Sequence, residues 1–113
     1  MNMATQAVSS GIVKGRLDGK VCLITGAGSG QGQCTALLFA EAGATVLASD
    51  IQQEGLEQTR DLAAEKQLTI ETRVVDAASE EQVQQWVGDA VLAHRRIDVL
   101  YNNAAGVHMA PFA

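Results

Sequence analysis

Short apolar runs recur along the chain and are separated by longer segments that mix apolar and charged residues. The first two runs, at residues 20–25 and 44–50, are apolar on both faces, which is typical of parallel strands that are covered on both sides. Together the runs predict four strands, at residues 20–25, 44–50, 69–76 and 97–101. The alternation of such strands with longer mixed segments indicates an α/β protein.

The three segments between the runs have the apolar spacing of helices. They predict helices at residues 33–42, 54–67 and 79–94. Gly43 follows the first helix, at a position where glycine favours a helix end. Ser79 and Gln82 open the third as a capping box, in which Gln82 is expected to bind the amide of Ser79. His94 ends this helix, where positive charge suits the helix dipole.

The third helix carries a core-facing stripe of residues three and four positions apart. The stripe is formed by Val83, Trp86, Val87, Ala90, Val91 and His94. Right-handed crossovers between the strands then predict a Rossmann-like, doubly wound parallel sheet with the strand order 3-2-1-4. We expect the first two helices on one face of this sheet and the third on the other.

Charge and composition exclude several partners. The net charge is -5, and an acidic chain repels a phosphate backbone, so we expect no nucleic-acid partner. No apolar stretch approaches the roughly 20 residues of a membrane span, so we expect no membrane partner. Residues 1–15 lack the apolar core of a secretory signal and are predicted to be a flexible leader. We therefore expect a cytoplasmic protein, with a mitochondrial location as the alternative.

The cysteines and histidines do not have the spacing of a metal site. Cys22 and Cys34 form no CxxC pair, and His94 and His108 are too scattered to complete a set of ligands. We expect two buried, reduced thiols and no metal.

The segment TGAGSGQG has a glycine at every second position. The phosphate loop of nucleoside triphosphatases is excluded, because it needs a lysine that this segment lacks. The GxGxxG fingerprint is excluded as well, because its third glycine is missing in every register. The pattern TGxxxGxG fits, with Thr25, Gly26, Gly30 and Gly32 in place and Gly28 at a variable position.

This glycine pattern predicts an anion site. The loop leaves the first strand and enters the first helix, whose free amides and dipole attract a pyrophosphate. Gly26 permits the turn, and Gly30 lets the backbone approach the ligand. Gly32 lets the helix pack close to the strand.

An acidic residue ends the second strand. Asp50 lies 18 residues after Gly32, where a carboxylate can accept hydrogen bonds from an adenosine ribose and repel a 2′-phosphate. The neighbouring positions that could supply a compensating base are Ser29 and Ile51, and neither is basic. The sequence therefore predicts NAD rather than NADP as the cofactor.

These features resemble the classical short-chain dehydrogenase/reductase family, over residues 16–113. The stretch DGKVCLITGAGSGQG is similar to the family's first strand and cofactor loop. Asp50 matches the NAD-selecting acid, and Asp76 and Ala77 match the position that contacts the adenine ring. The stretch DVLYNNAAG resembles the fourth strand and the NNAG motif that follows it.

The resemblance assigns roles within the NNAG segment and has two departures. Asn102 would brace the sheet, and Asn103 would lie beside the cofactor. Gln31 stands where the family usually has an aliphatic residue, and Ala105 replaces the glycine of NNAG. The positions expected to contact NAD are Thr25, Gly26, Ser29, Gly30, Gln31, Gly32, Asp50, Ile51, Asp76, Ala77, Asn103, Ala104 and Ala105.

The resemblance implies an oxidoreductase that transfers hydride between NAD(H) and a secondary alcohol or ketone, usually as a homodimer or homotetramer. The family's chemistry uses a serine, an asparagine and a YxxxK pair beyond NNAG, with the tyrosine as general acid/base. Here the one tyrosine, Tyr101, is followed four residues later by Ala105, and all three lysines precede it. Residues 16–113 are therefore expected to be the NAD-binding, N-terminal half of the domain, without catalytic residues and inactive as given.

The same resemblance implies that further strands and helices of the family's domain lie beyond NNAG. We therefore expect the outer edge of the fourth strand to be unpaired. We also expect poor cover over the sheet near Val21, Leu23 and Val99.

Two other protein classes share part of this pattern. A non-catalytic nucleotide-binding or regulatory module would have the same loop and acid and would lack the same catalytic residues. A serine and a YxxxK pair further along the same gene would separate the dehydrogenase from such a module. A methyltransferase also has a glycine-rich loop followed by an acid, but Thr25 and the NNAAG segment disfavour it.

Overall fold

The computed structural model describes residues 15–103 and 109–110. The strands of this part are β1 (Val21–Thr25), β2 (Thr45–Asp50), β3 (Ile70–Val74), β4 (Val99–Asn102) and β5 (Met109–Ala110). The helices are α1 (Gly30–Glu41), α2 (Gln53–Glu65) and α3 (Glu80–His94). The predicted leader lies outside the described residues except for Gly15, and Ala104 and Ala105 also lie outside them.

The strands form one sheet in the order β3-β2-β1-β4-β5. The first four are parallel, so the predicted 3-2-1-4 order and the Rossmann-like class are confirmed. β5 adds an antiparallel strand at the outer edge of β4, where Leu100 pairs with Ala110 and Tyr101 with Met109. The prediction of an unpaired β4 edge is wrong at these residues, because a two-residue strand leaves no recognisable apolar run.

Successive residues of β1 point to opposite faces of the sheet, and each face has its own buried cluster. The loop face, covered by α1 and α2, includes Cys22, Ile24, Ala36, Ala40, Leu56 and Ala63. The α3 face, covered by α3, includes Val21, Leu23, Leu47, Trp86 and Ala90. The predicted division of the three helices between the two faces is therefore confirmed.

The expectation of poor cover over the sheet is wrong for β1. Val21 is 5% exposed and Leu23 is fully buried, because Trp86 and Ala90 of α3 pack against them. Val99 is half-buried and packs against the loop face instead. It sits there because it pairs with Cys22 in the parallel register of β1 and β4.

The boundaries of α1 differ from the prediction at its start. The helix begins at Gly30, inside the glycine loop, and ends at Glu41. Gly43 follows with a φ of 98°, a left-handed conformation that glycine adopts without strain. The early start matters for function, because it places the first helical amides in the glycine loop itself.

The start of α3 confirms one half of the predicted capping box. The Oγ of Ser79 accepts a hydrogen bond from the amide of Gln82 at 3.3 Å. The other half is wrong, because the Oε1 of Gln82 accepts from the amide of Asp76 at 2.9 Å rather than from that of Ser79. Gln82 thereby holds the turn that follows β3.

The predicted core stripe of α3 is too wide. Trp86 and Ala90 are buried, whereas Val91 is 45% exposed. Val91 lies about 100° around the helix from Ala90, so it leaves the face that contacts the sheet. His94 does end the helix, and its Nε2 lies 2.9 Å from the Oε2 of Glu71 on β3.

Candidate nucleotide-binding site

The loop between β1 and α1 depends on glycine at three of its positions. Gly26 and Gly30 have φ values of 63° and 56°, in the left-handed region that strains other residues. A side-chain carbon on Gly32 would overlap the carbonyl oxygen of Gly26 and lie 3.0 Å from the Nδ2 of Asn103. The first turn of α1 can therefore approach β1 only without a side chain at this position.

The N-terminus of α1 is open to a ligand. Ser29 is the N-cap residue, in an extended conformation, and its side chain makes no capping hydrogen bond. Ser29, Gly30 and Gln31 are all exposed. The first amides of a helix have no partner within the helix and carry a positive partial charge. This end of α1 therefore presents donors that suit an anion such as a pyrophosphate.

The structure leaves little room for a side chain at Gly28, the variable position of the motif. Its amide donates a hydrogen bond to the Oδ2 of Asp50 at 2.9 Å. A side-chain carbon on Gly28 would lie 2.9 Å from that oxygen and 3.2 Å from the carbonyl carbon of Gly55 on α2. The motif alone does not reveal this crowding, because it arises from residues more than twenty positions further along the chain.

Asp50 ends β2 with its carboxylate fixed from two sides. Oδ2 accepts from the amide of Gly28, and Oδ1 accepts from the amide of Gln52 at 3.0 Å. The carbonyl of Asp50 accepts from the amide of Val75 at 3.1 Å. Asp50 therefore joins the glycine loop, the start of α2 and the chain after β3 at one point.

A cleft of about 220 Å³ opens at the carboxyl ends of the parallel strands. Its lining residues are Gly26, Asp50, Ile51, Val75, Asp76, Ala77 and Ala78. Five of these are predicted cofactor positions, drawn from three separate segments of the sequence. Ile51 is 63% exposed, an apolar side chain that a planar ring could cover. The Oδ1 of Asp76 accepts from the amide of Ala78 at 2.9 Å, which shapes the far wall.

Two asparagines at the end of β4 contact the start of the loop from the other side of β1. The Oγ1 of Thr25 donates to the Oδ1 of Asn102 at 2.8 Å, and the two residues are also partners in the sheet. The Nδ2 of Asn103 donates to the carbonyl of Gly26 at 3.5 Å. The start of the loop is thus tied at two adjacent residues to the end of β4 and the residue that follows it.

A buried hydroxyl beneath the loop was not predicted from the sequence. Thr59 of α2 is fully buried, and its Oγ1 donates to the carbonyl of Ala27 at 2.7 Å. The Nε2 of Gln33 donates to the same Oγ1 at 3.0 Å. A signal for Thr59 was present, because it continues the buried helical spacing of Leu56 and Ala63.

The remaining predictions on thiols, metals and membranes concern residues outside the cleft. Cys22 is buried, and burial raises the pKa of its thiol to about 11. Cys34 is only half-buried, so the prediction of two buried thiols is wrong for it. Among the residues that the structure describes, no three His, Cys, Asp or Glu side chains are grouped to hold a metal. None of the described helices has the length and apolar character for crossing a bilayer.

Comparison with known proteins identifies relatives of the whole described fold. The family model for short chain dehydrogenase matches residues 20–113. The 3-oxoacyl-(acyl-carrier-protein) reductase FabG of Thermotoga maritima is 46% identical over 89 residues, which cover 79% of this chain and 36% of the reductase. The chain therefore spans about a third of the length of this relative.

Two solved structures share the fold and part of the sequence. Carveol dehydrogenase from Mycobacterium avium in complex with NAD has a TM-score of 0.72 and 33% identity, and the match covers 86% of this chain and 39% of that one. NAD+-bound xylitol dehydrogenase has a TM-score of 0.70 and 38% identity, covering 76% of this chain and 33% of that one. Together with the strand order, the glycine loop and the acid at the end of β2, these matches show that the chain belongs to the short-chain dehydrogenase/reductase family.

Proposed function

We propose that this chain binds NAD(H) through its adenosine and pyrophosphate parts. We further propose that the protein to which it belongs transfers hydride between NAD(H) and a secondary alcohol or ketone. Residues 16–113 are then the NAD-binding, N-terminal half of the domain. Family membership supports the oxidoreductase class, and two structural relatives described as holding NAD support this cofactor.

The N-terminus of α1 is the proposed pyrophosphate site. The amides of Gly30, Gln31 and Gly32 belong to the uncapped first turn, and exposed Ser29 adds a hydroxyl beside them. Gln31 replaces the aliphatic residue of the family, and its amide group can face a phosphate as well. The lack of a capping side chain is the observation that fits an external anion, which would take the place of the cap.

The fixed carboxylate of Asp50 is the single observation that carries the preference for NAD. The amide of Gly28 donates to one of its oxygens and the amide of Gln52 to the other. Each oxygen can still accept a hydrogen bond from a ribose hydroxyl. A 2′-phosphate in the same place would meet a negative charge that cannot turn away. Ile51, Asp76 and Ala77 line the adjoining cleft, where we place the adenine ring.

The nicotinamide side of the site involves the segment after β4. Thr25 and Gly26 lie at the start of the loop, and Asn103 reaches Gly26, so we place Asn103 beside the cofactor. Ala104 and Ala105, which follow it, are proposed as the next contacts. The nicotinamide ring supplies the hydride chemistry when NAD(H) is bound.

The 113-residue chain taken by itself is proposed to bind without turnover. It has no YxxxK pair, because Ala105 stands four residues after its one tyrosine, Tyr101. This observation favours a nucleotide-binding module as the second candidate function for the isolated chain. Purified chain should produce no NADH from NAD and a panel of secondary alcohols. Steady NADH formation that copurifies with the chain would contradict the proposal.

The cofactor proposal is tested by titrating the purified chain with NADH and with NADPH. We expect NADH to bind at least about tenfold more tightly than NADPH. The carboxylate of Asp50 accepts a hydrogen bond from the ribose of NADH, whereas it repels the 2′-phosphate of NADPH. Asp50→Ala should narrow this difference in affinity, because it weakens the binding of NADH and strengthens that of NADPH. Asp61→Ala, which removes an exposed carboxylate of α2, is the matched control and should preserve it. Equal affinities for the two nucleotides in the unmodified chain would reject the role of Asp50.

The family's homodimer or homotetramer and the cytoplasmic location stay predictions. Sedimentation of the protein and its location in fractionated cells would test them.

A further inference from the structure

One peptide unit of the glycine loop is held at both of its ends. The unit joins Ala27 to Gly28, so the carbonyl of Ala27 and the amide of Gly28 lie in one plane. The carbonyl accepts from the Oγ1 of Thr59 at 2.7 Å. The amide donates to the Oδ2 of Asp50 at 2.9 Å. The plane thus links a buried hydroxyl of α2 to the acid at the end of β2.

The hydroxyl of Thr59 can make these contacts because its neighbours fix its direction. Oγ1 lies 2.7 Å from the carbonyl of Ala27 and 3.0 Å from that of Gly55, but it has only one hydrogen to donate. The Nε2 of Gln33 donates to Oγ1 at 3.0 Å and lies 3.4 Å from the carbonyl of Gly28. Gln33 therefore occupies the acceptor side of the hydroxyl, and the hydrogen points to the shorter contact, Ala27.

Close packing between two glycines brings α2 within reach of the loop. A side-chain carbon on Gly55 would lie 2.6 Å from the carbonyl oxygen of Gly28 and 3.0 Å from its Cα. The backbones of Gly28 and Gly55 are therefore in direct contact. Thr59 lies one helical turn beyond Gly55, on the same side of α2.

From this arrangement we propose that Thr59 is a positioning residue for nucleotide selection. It acts on Asp50 through the Ala27–Gly28 peptide unit, and Gln33 supports it. The inference rests on the proposed function, because Asp50 is the acid assigned there to the adenosine ribose.

The physical reason is that two contacts fix a peptide plane whereas one does not. With Thr59 bound to its carbonyl, the plane cannot rotate, and the amide of Gly28 points at Oδ2 of Asp50. The carboxylate is then held before the nucleotide arrives, so binding does not have to order it. Without the hydroxyl, the Ala27 carbonyl is buried and unpaired, which favours rotation of the plane away from this geometry.

The test compares three variants by titration with NADH and NADPH. Thr59→Val keeps the branched shape but removes the hydroxyl, and we expect NADH to bind about three- to tenfold more weakly while NADPH changes less than about twofold. Thr59→Ser restores the hydroxyl and should restore the discrimination between the nucleotides. Thr45→Val is the matched control, because Thr45 is exposed at the opposite end of β2.

A second measurement does not depend on the nucleotide. Hydrogen exchange of the Gly28 amide in ligand-free chain should be about tenfold faster in Thr59→Val than in Thr59→Ser. If Thr59→Val does not fold, Gln33→Met removes the supporting donor and should give a smaller change in the same direction in both measurements.

The outcomes separate this inference from the proposed function. If the unmodified chain does not prefer NADH, the proposed function fails and the inference fails with it. Suppose instead that the unmodified chain prefers NADH. Only the inference fails if Thr59→Val or Gln33→Met then preserves both this preference and the hydrogen-exchange rate of the Gly28 amide. An equal loss of affinity for both nucleotides would also overturn it, since that is the result of a purely structural role.

Discussion

The two faces of the sheet are closed by different means. On the loop face, small residues such as Ala36 and Ala63 bring the helices close to the sheet, and the buried hydroxyl of Thr59 reaches the loop backbone. The α3 face is centred on one large side chain, Trp86. At its margin, exposed charged pairs such as Arg73 with Asp89, 2.7 Å apart, join β3 to α3.

A buried hydroxyl on each side of the sheet makes the contrast sharper. Thr59 is paired with the carbonyl of Ala27 and with Gln33. Ser49 of β2 is also fully buried, yet its Oγ has no hydrogen-bond partner in the part of the chain that the structure describes. Ser49 is two residues from Leu47 and therefore shares the α3 face with it. The hydroxyl of Thr59 thus holds the glycine loop from the loop face, whereas that of Ser49 makes no hydrogen bond among the described residues.

The difference indicates a division of labour between the faces. The loop face sets the geometry of the glycine loop and Asp50, so changes there should alter which nucleotide binds. The α3 face supplies apolar burial beneath the sheet, so changes there should alter the stability of the chain.

The largest expected effect is from Trp86→Ala on the α3 face. Removing a buried aromatic side chain should lower the free energy of unfolding by about 3–5 kcal/mol, measured by urea denaturation. The ratio of NADH to NADPH affinity in the remaining folded protein should stay the same. Trp86→Phe is a milder variant that should give a smaller loss with the same ratio. A change in the ratio would break the proposed division.

The next effect is from Gly32→Ala at the start of α1. The new carbon would overlap the carbonyl oxygen of Gly26, so α1 must shift away from β1, at a cost of about 1–3 kcal/mol. The amides proposed to bind pyrophosphate shift with it, and both nucleotides should bind more weakly.

The matched control for that change is Gly88→Ala on α3. Nothing lies within 4 Å of a side-chain carbon at Gly88, so this variant should gain about 0.5–1 kcal/mol in stability and bind nucleotides normally. Calorimetric melting and titration of the two variants side by side would check both expectations. Normal binding by Gly32→Ala would refute the role of the α1 terminus.

A smaller effect is expected from Ser49→Ala. Removing a buried hydroxyl without a partner should raise the free energy of unfolding by about 1 kcal/mol, with nucleotide binding unchanged. The same loss of a hydroxyl on the loop face, in Thr59→Val, should lower stability. Urea denaturation of both variants tests whether their stabilities change in opposite directions. A loss of stability in Ser49→Ala would contradict this expectation.

The smallest effect concerns the acid response of the α3 margin. The hydrogen bond from Arg73 lowers the pKa of Asp89 below its ordinary value of 3.8. Because the folded-state pKa is the lower one, the pair stabilises the fold above the unfolded pKa, and this contribution is lost as pH falls through the folded-state pKa. Asp89→Asn should therefore flatten the dependence of the urea midpoint on pH in acid. An unchanged acid slope would show that the pair contributes nothing.

The sequence predicted the parts of the fold that depend on local pattern and handedness. Four apolar runs and right-handed crossovers were enough for the parallel sheet, its order and the sides of the helices. β5 was not predicted, because two residues are too few to show a periodic pattern of apolar positions. Val91 was assigned to the core because a spacing pattern does not show how far the sheet extends beneath a helix.

The candidate site was predicted where one short segment suffices, and missed where distant segments meet. Gly26, Gly30 and Gly32 follow from the strand–loop–helix pattern, and Asp50 follows from its place at the end of β2. The crowding at Gly28 was not predicted, because it comes from Asp50 and from Gly55 of α2. Thr59 was overlooked because its role exists only once α2 packs on the loop.

The pairing of Thr25 with Asn102 also has a consequence for the order in which the molecule folds. The two residues are 77 positions apart in the chain, and the contact between Gly26 and Asn103 spans the same distance. Closing so long a segment costs more chain entropy than joining β1 to β2, and distant pairings form slowly. We expect β1, β2 and β3 to associate first and β4 to dock later. On a ribosome, the glycine loop and Asp50 would then come together while β4 is still being synthesised, and the loop would receive its second tether last.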